Sequence, residues 1–169
     1  MVFVSTYDSP LGEIFLASNK QKLVGLYFVG QKYFARSLPS TRIEKEIDIL
    51  TQTKRWLEDY FLGKNQKYTY DLELQATSFC LSVWQALQRI SYGEVCTYGE
   101  IAQYLAKQTG RKIAPRAVGA AVGKNPISII IPCHRVVATN GLGGYAGGLE
   151  KKKALLKLEG ADIASLESY

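Results

Sequence analysis

The chain has 169 residues, 47% of them hydrophobic, and carries 21 lysines and arginines against 15 aspartates and glutamates, for a net charge of +6. That length suits one ordinary domain or two small ones with a real core, and no stretch approaches the apolar length of a membrane span. Three scattered cysteines (Cys80, Cys96, Cys133) make no disulfide framework, a single histidine argues against a structural zinc, and the first five residues lack the basic and apolar regions of a signal peptide, so a reducing interior compartment is expected.

Residues 2–7, 12–17 and 23–28 read as strands, with Asp8-Ser9-Pro10-Leu11-Gly12 and Asn19-Lys20 supplying the turns. Thr41 and Glu44 have capping-box spacing, and Ile43, Ile47, Leu50, Leu57 and Phe61 recur near the helical period, which predicts a helix stopping at Gly63. Tyr68, Tyr70, Leu72 and Leu74 alternate, predicting one more strand, and Gln75-Ala76-Thr77-Ser78 reads as a link. Beyond it the pattern turns helical. Phe79, Val83, Trp84, Leu87 and Ile90 mark one face, and Ser91-Tyr92-Gly93 ends it. Thr97 and Glu100 form a second capping box for a helix running to about Ala106, a turn passes through Gly110, and Pro115 suits the first position of a short helix reaching Gly123.

The apolar run at 127–131 reads as a strand that Pro132 stops, because proline fixes its own backbone angle and offers no ladder hydrogen bond. Asn140-Gly141 signals a hairpin turn, a glycine-rich loop follows to residue 148, and an amphipathic helix is predicted over 149–158. The expected fold is α+β. A small N-terminal antiparallel sheet with a helix (1–76) supports a mostly helical C-terminal domain (77–169) that contains a helix-turn-helix.

The chemistry concentrates at Ile131-Pro132-Cys133-His134-Arg135. A thiol is a weak nucleophile until its proton is removed or its thiolate is stabilised, and an imidazole and a guanidinium are groups that do this. The plainer reading is that Cys133 is a small buried hydrophobe, as most free cysteines are. The basic excess lies in the same half: residues 1–76 hold 10 basic and 9 acidic side chains, residues 77–169 hold 11 and 6. Such a face attracts polyanions, although a basic surface also serves solubility alone. The helix after Gly110 carries Arg116, Ala117, Gly119 and Ala120, where a sequence reader would present amides and several cations. Small residues permit close approach to a DNA backbone without reading bases, or they pack the helix against its neighbour. The basic residues Arg111, Lys112, Arg116 and Lys124 tip the reading toward DNA of any sequence. A protein doing chemistry on one base must rotate it out of the duplex, and Arg116 is the candidate plug for the gap.

Pro132-Cys133-His134-Arg135-Val136-Val137, Arg116-Ala117-Val118-Gly119, Asn125-Pro126, Gly144-Tyr145-Ala146-Gly147-Gly148-Leu149 and Leu158-Glu159-Gly160 together resemble the O6-alkylguanine-DNA alkyltransferases (methylated-DNA–protein-cysteine methyltransferases) in order and spacing. The resemblance is strong from about residue 79 to 160 and weaker over 1–76. It implies irreversible transfer of an alkyl group from O6 of a damaged guanine in double-stranded DNA to Cys133, which consumes the protein. It further implies that His134 acts through a water as base, that Glu159 orients His134, that Asn125 braces the turn, and that Tyr98 helps rotate the nucleotide and protonates the leaving guanine. Arg116, Thr97, Ala117, Gly119, Ala120 and Lys124 would face DNA; Tyr145, Ala146, Gly147, Gly148 and Val136 would form the base pocket. No cofactor and no metal are implied, and the expected protein is a monomer without a membrane partner, cytoplasmic and nucleoid-associated, or nuclear in a eukaryote.

Family members often carry Ser or Thr where Ala146 stands, which puts one hydrogen bond near the guanine O6 in question. The zinc of the vertebrate first domain is not expected with one histidine. Two other classes of protein fit the residues less well. A protein that binds alkylated DNA without transfer would have no use for Cys133, and a Cys-His hydrolase leaves the small-residue helix and the basic bias unexplained.

Overall fold

The computed structural model describes residues 1–167 and divides into two compact units, Met1–Gln75 with Pro126–Ser128, and Ala76–Asn125 with Ile129 onward. Among the described residues no helix is long and apolar enough to cross a membrane.

In the first unit, β1 (Phe3–Ser9), β2 (Gly12–Ser18) and β3 (Leu23–Phe28) form an antiparallel meander. The Ser9 hydroxyl accepts from the Leu11 N–H at 3.1 Å and donates to the Gly12 carbonyl at 2.6 Å, closing the first hairpin where Gly12 takes φ 113°. Ile14, Leu16, Leu26 and Phe28 are fully or almost fully buried, and so are Ala17 and Tyr27 between them, so the end of β2 and most of β3 are covered on both faces. One cover is α1 (Asp48–Phe61), whose Ile49, Leu50, Thr53, Leu57 and Tyr60 lie on one face and which packs on β1 and β2.

Three expectations for this unit are corrected. Ile43–Glu44 form a short strand, β4, parallel to β1, so the sheet (order β3-β2-β1-β4) is mixed, not purely antiparallel. For the same reason the Thr41–Glu44 capping box does not form. The Ile43 N–H is spent on the Val2 carbonyl and the Lys45 N–H on the Val4 carbonyl, and α1 begins four residues later without a side-chain cap. The predicted strand near 68–74 is a single bridge, Leu23 to Leu72, flanked by two hydrogen bonds.

In the second unit, α2 (Ser78–Leu87) is capped by the Thr77 side chain, α3 (Tyr98–Thr109) opens on the complete Thr97/Glu100 capping box, and Gly110 ends α3 at φ 68°. After a short turn, α4 (Pro115–Gly123) starts on its proline and packs on α2 and α3, and the Trp84 indole donates to the Ala121 carbonyl at 2.9 Å. A two-residue parallel ladder joins β5 (Cys96–Thr97) to β6 (Val136–Val137), so the start of α3 is held beside the residues that follow Cys133. Helices α5 (Leu149–Leu158) and α6 (Ala164–Glu167) follow, with Leu142, Leu156 and Ile163 in a buried cluster.

The apolar run 127–131 is not a strand. Ser128 donates to the Leu26 carbonyl and accepts no regular ladder beyond it, and Ile129 sits at φ 71°. A β-branched residue pays about 1–2 kcal/mol for that left-handed conformation. Ile127, Ile129 and Ile131 are nonetheless all buried, which accounts for their apolar side chains without a strand. The Asn140-Gly141 turn is displaced as well: the bridge joins Ala138 to Gly141, which puts Thr139 and Asn140 at its centre.

Candidate active site

Cys133, His134 and Arg135 form a single 3-10 turn between Pro132 and β6. In an extended chain neighbouring side chains point to opposite faces, and the turn frees Cys133 and His134 from that alternation. Cys133 is 4% exposed and His134 is fully buried. Asn125, at the end of α4, donates from Nδ2 to the Ile131 carbonyl at 2.8 Å and also reaches the thiol, so it braces the approach to Cys133. Burial holds the Cys133 thiol above its ordinary value, against the opposing pull of the Asn125 side chain, the Lys152 charge and the nearby Tyr145 side chain.

His134 Nε2 lies 2.8 Å from Glu159 Oε2. Glu159 is the cap residue at the end of α5, with its side chain wholly buried, and it also accepts from Arg135 Nε at 2.8 Å and Nη2 at 3.0 Å. The carboxylate can only accept, so Nε2 carries the His134 proton and Nδ1 is left with its lone pair. Nδ1 is buried and makes no hydrogen bond to the described residues. Burial lowers the His134 pKa against the pull of Glu159, so the imidazole is neutral and basic near neutral pH.

Tyr98, the first residue of α3, has its hydroxyl near the Gly144 backbone and close enough to Cys133 to feel its charge. Burial raises its pKa above the ordinary 10.0, so it remains a proton donor. Its ring packs beside Gly119 of α4 and against Gly143 of the glycine loop. At Gly143, which has φ 73°, an added Cβ would stand 2.9 Å from Tyr98 Oη and 3.0 Å from Cε2. Gly143→Ala is therefore expected to cost about 1–3 kcal/mol of stability and to displace the tyrosine. A thermal melt beside a single-turnover transfer assay checks it, and an unchanged melting temperature would show that the loop yields.

Val118, Ala121 and Val122 are buried, whereas Arg116, Ala117, Ala120 and the following Lys124 are exposed. Ala117 and Ala120 thus lie on the outer face of α4, with Arg116 and Lys124 beside them. Gly119 is half-buried against Tyr98, and the Thr97 hydroxyl is occupied as the α3 cap. Of the loop residues, Tyr145 contacts Cys133, Ala146 and Gly147 are half-buried, and Gly148 turns the chain into α5 at φ 98°. Val136 is buried.

The sequence gives Arg135 a place at the thiol and does not single out Lys152, and the structure alters both readings. Arg135 does not face the thiol; it clamps Glu159, donates to the Ile90 carbonyl at 2.7 Å and lies over the Tyr92 ring. Lys152 is fully buried and donates to the Val136 and Gly144 carbonyls at 2.5 and 2.9 Å. Its spacing from Leu149, Leu155 and Leu156 put it on the apolar face of α5, which was the available signal.

The arrangement sets a buried cysteine next in the chain to a neutral histidine whose tautomer a carboxylate fixes, a set of groups able to support nucleophilic chemistry. The comparisons carry this from a class to a family. Residues 78–161 match the family described as "6-O-methylguanine DNA methyltransferase, DNA binding domain", and residues 2–74 match its "ribonuclease-like domain". The chain is 43% identical to a methylated-DNA–protein-cysteine methyltransferase of Methanosarcina acetivorans, covering 95% of this chain and 99% of that one. It is 37% identical to the protein of the same name from Sulfolobus acidocaldarius, over 98% of both. The crystal structure of Mycobacterium tuberculosis OGT in complex with DNA is similar at TM-score 0.81 and 38% identity, covering 97% of this chain and 98% of that one. The chain belongs to the 6-O-methylguanine DNA methyltransferase family, and its α+β fold is the fold of that family.

Proposed function

We propose that this protein repairs duplex DNA by moving an alkyl group from O6 of guanine to Cys133, once per molecule. The observation that carries the reading is the buried Cys133 turn with His134 held on Glu159, in a chain whose relatives are named for methyl transfer to a cysteine. The Cys133 Sγ attacks the alkyl carbon as the carbon–O6 bond breaks. The thiol proton leaves toward His134 Nδ1 through a bridging water, and the Tyr98 hydroxyl lends a proton to the departing guanine, which is a poor leaving group as an anion. The two transfers amount to one proton passing from sulfur to base. The thioether product has no route back, so the protein is spent, and the chemistry asks for no cofactor.

Duplex DNA docks on the exposed face of α4, with α3 and α4 acting as a helix-turn-helix. Ala117, Gly119 and Ala120 allow close backbone approach, Thr97 and Lys124 flank it, and Arg116 enters the stack where the guanine has left. Tyr145, Ala146, Gly147, Gly148 and Val136 enclose the extruded base. Residues 1–76 support this part and 77–169 perform the docking and transfer. The protein acts as a monomer in the cytoplasm, on the nucleoid, or in a nucleus if its host has one.

Mixing the protein with a duplex containing O6-methylguanine is expected to add one methyl group to the intact mass, on the peptide containing Cys133. Repeated turnover, or a mass gain at Cys80 or Cys96 alone, contradicts the mechanism. Arg116→Ala is expected to slow repair in duplex DNA by about 10-fold or more while leaving reaction with the free modified base nearly unchanged. Equal losses on both substrates would remove Arg116 from the stack.

A further inference from the structure

Outside the cysteine, histidine and glutamate of the proposed reaction, one buried charge stands without an assignment. Lys152 projects from α5 with no exposed surface, and its ammonium donates to the carbonyl of Val136, three residues after Cys133, and to that of Gly144, one residue before Tyr145. An ammonium has three N–H donors. The third has no hydrogen-bond partner among the described residues, and the group lies close enough to Cys133 for each to shift the other.

The charges explain why a lysine is kept there. Arg135 and Lys152 are positive, Glu159 is negative, and His134 and the thiol are neutral, so the buried cluster carries one net positive charge. Losing the Cys133 proton to solvent, as in alkylation without DNA, brings the cluster to neutrality. Without Lys152 that loss would leave a buried net negative charge, which a low-dielectric site disfavours. Arg135 cannot substitute, because its guanidinium is occupied by Glu159 and the Ile90 carbonyl. The groups facing the ammonium are Cys133 and His134 from the 3-10 turn, with Tyr98 of α3 and Tyr145 of the loop gathered round the same thiol.

We propose that Lys152 is a positioning residue for the transfer: its two carbonyl bonds tie the cysteine turn to the glycine loop, and its charge balances the Cys133 thiolate. The proposal rests on Cys133 being the alkyl acceptor. Burial lowers the Lys152 pKa to about 8, so the supporting charge is present at neutral pH and is lost as pH rises through that value.

The test is the rate at which iodoacetamide alkylates Cys133 over a pH series without DNA, run on the unsubstituted protein, Lys152→Met and Lys152→Arg, beside methyl transfer from an O6-methylguanine duplex. Lys152→Met is expected to move the thiol midpoint up by about one unit or more and to slow iodoacetamide about tenfold near neutrality. Lys152→Arg, which keeps the charge and misplaces the two carbonyl bonds, is expected to hold the midpoint while slowing methyl transfer. A midpoint unmoved in the methionine variant overturns the proposal. Should that variant fail to fold, lysine-labelled NMR of the unsubstituted protein decides: converting Cys133 to its S-methyl form must lower the Lys152 titration, since coupling between two sites is reciprocal, and an unmoved titration overturns the proposal. If the unsubstituted protein takes no methyl group, the repair reading fails, while the iodoacetamide series still judges Lys152.

Discussion

Cys133→Ser is expected to abolish methyl uptake from an O6-methylguanine duplex, lowering the single-turnover rate by about 10⁴-fold or more, while leaving DNA binding and folding close to normal. The substitution is small in volume, and the serine hydroxyl inherits the polar neighbours of the thiol, the Asn125 and Tyr145 side chains. A stability change under about 1.5 kcal/mol is therefore expected. What is lost is ionisation. A neutral imidazole and one buried cation assist a thiol, whereas a hydroxyl is far too weak an acid for either to make it an anion. The other cysteines offer no detour. Burial and the Glu100 carboxylate push the Cys96 thiol up to about 12, and Cys80 lies in the first turn of α2, in a separate element from the 3-10 turn. Intact mass, peptide mapping and a binding titration on the same sample check the prediction. Methyl uptake by the serine variant would mean that the acceptor is another atom.

Much of this was legible in the residues. The strands at 12–18 and 23–28, the capping box of α3, Pro115 at the head of α4 and both ends of α5 follow from local rules, because each is set by backbone donors and acceptors within one turn or one hairpin. Cys133, His134 and Glu159 were also singled out, and the structure brings them together in one turn and one helix end. What failed depended on distant partners. Glu44 has the right spacing to cap a helix, but its backbone is recruited by the edge of β1. The isoleucines of 127–131 have no period, and a continuous apolar run does not distinguish a buried strand from a buried chain of turns. Arg135 sits beside the cysteine in sequence and on Glu159 in space, a difference fixed by the 3-10 turn. Lys152 was hidden by its neighbours Lys151 and Lys153, which make the segment look like a solvated basic face, although its helical spacing pointed inward.

Glu159→Gln is the second substitution with a large expected effect, and it separates charge from shape. The glutamate meets three donors, His134 Nε2, Arg135 Nε and Arg135 Nη2, with a side chain that has no exposed surface. A glutamine of the same size has one carbonyl oxygen and one amide nitrogen. Oε2 meets both His134 Nε2 and Arg135 Nη2, so a carbonyl oxygen in that place keeps both donors and sets the amide nitrogen against Arg135 Nε, donor against donor. The His134 tautomer is kept, but the negative charge that raises the basicity of its imidazole is gone. Weakening the general base in this way is expected to slow transfer by about 10²-fold. The uncompensated guanidinium is expected to cost about 3 kcal/mol of stability, softened by the bond that Arg135 keeps to Ile90. In a chain of 169 residues that corresponds to a melting temperature lower by roughly 10 °C. The two effects are read separately, by single-turnover kinetics well below the melting point and by thermal denaturation. A glutamine variant that melts early yet transfers methyl within about twofold of the normal rate would make Glu159 a structural counter-ion only, whose charge the His134 base does not need.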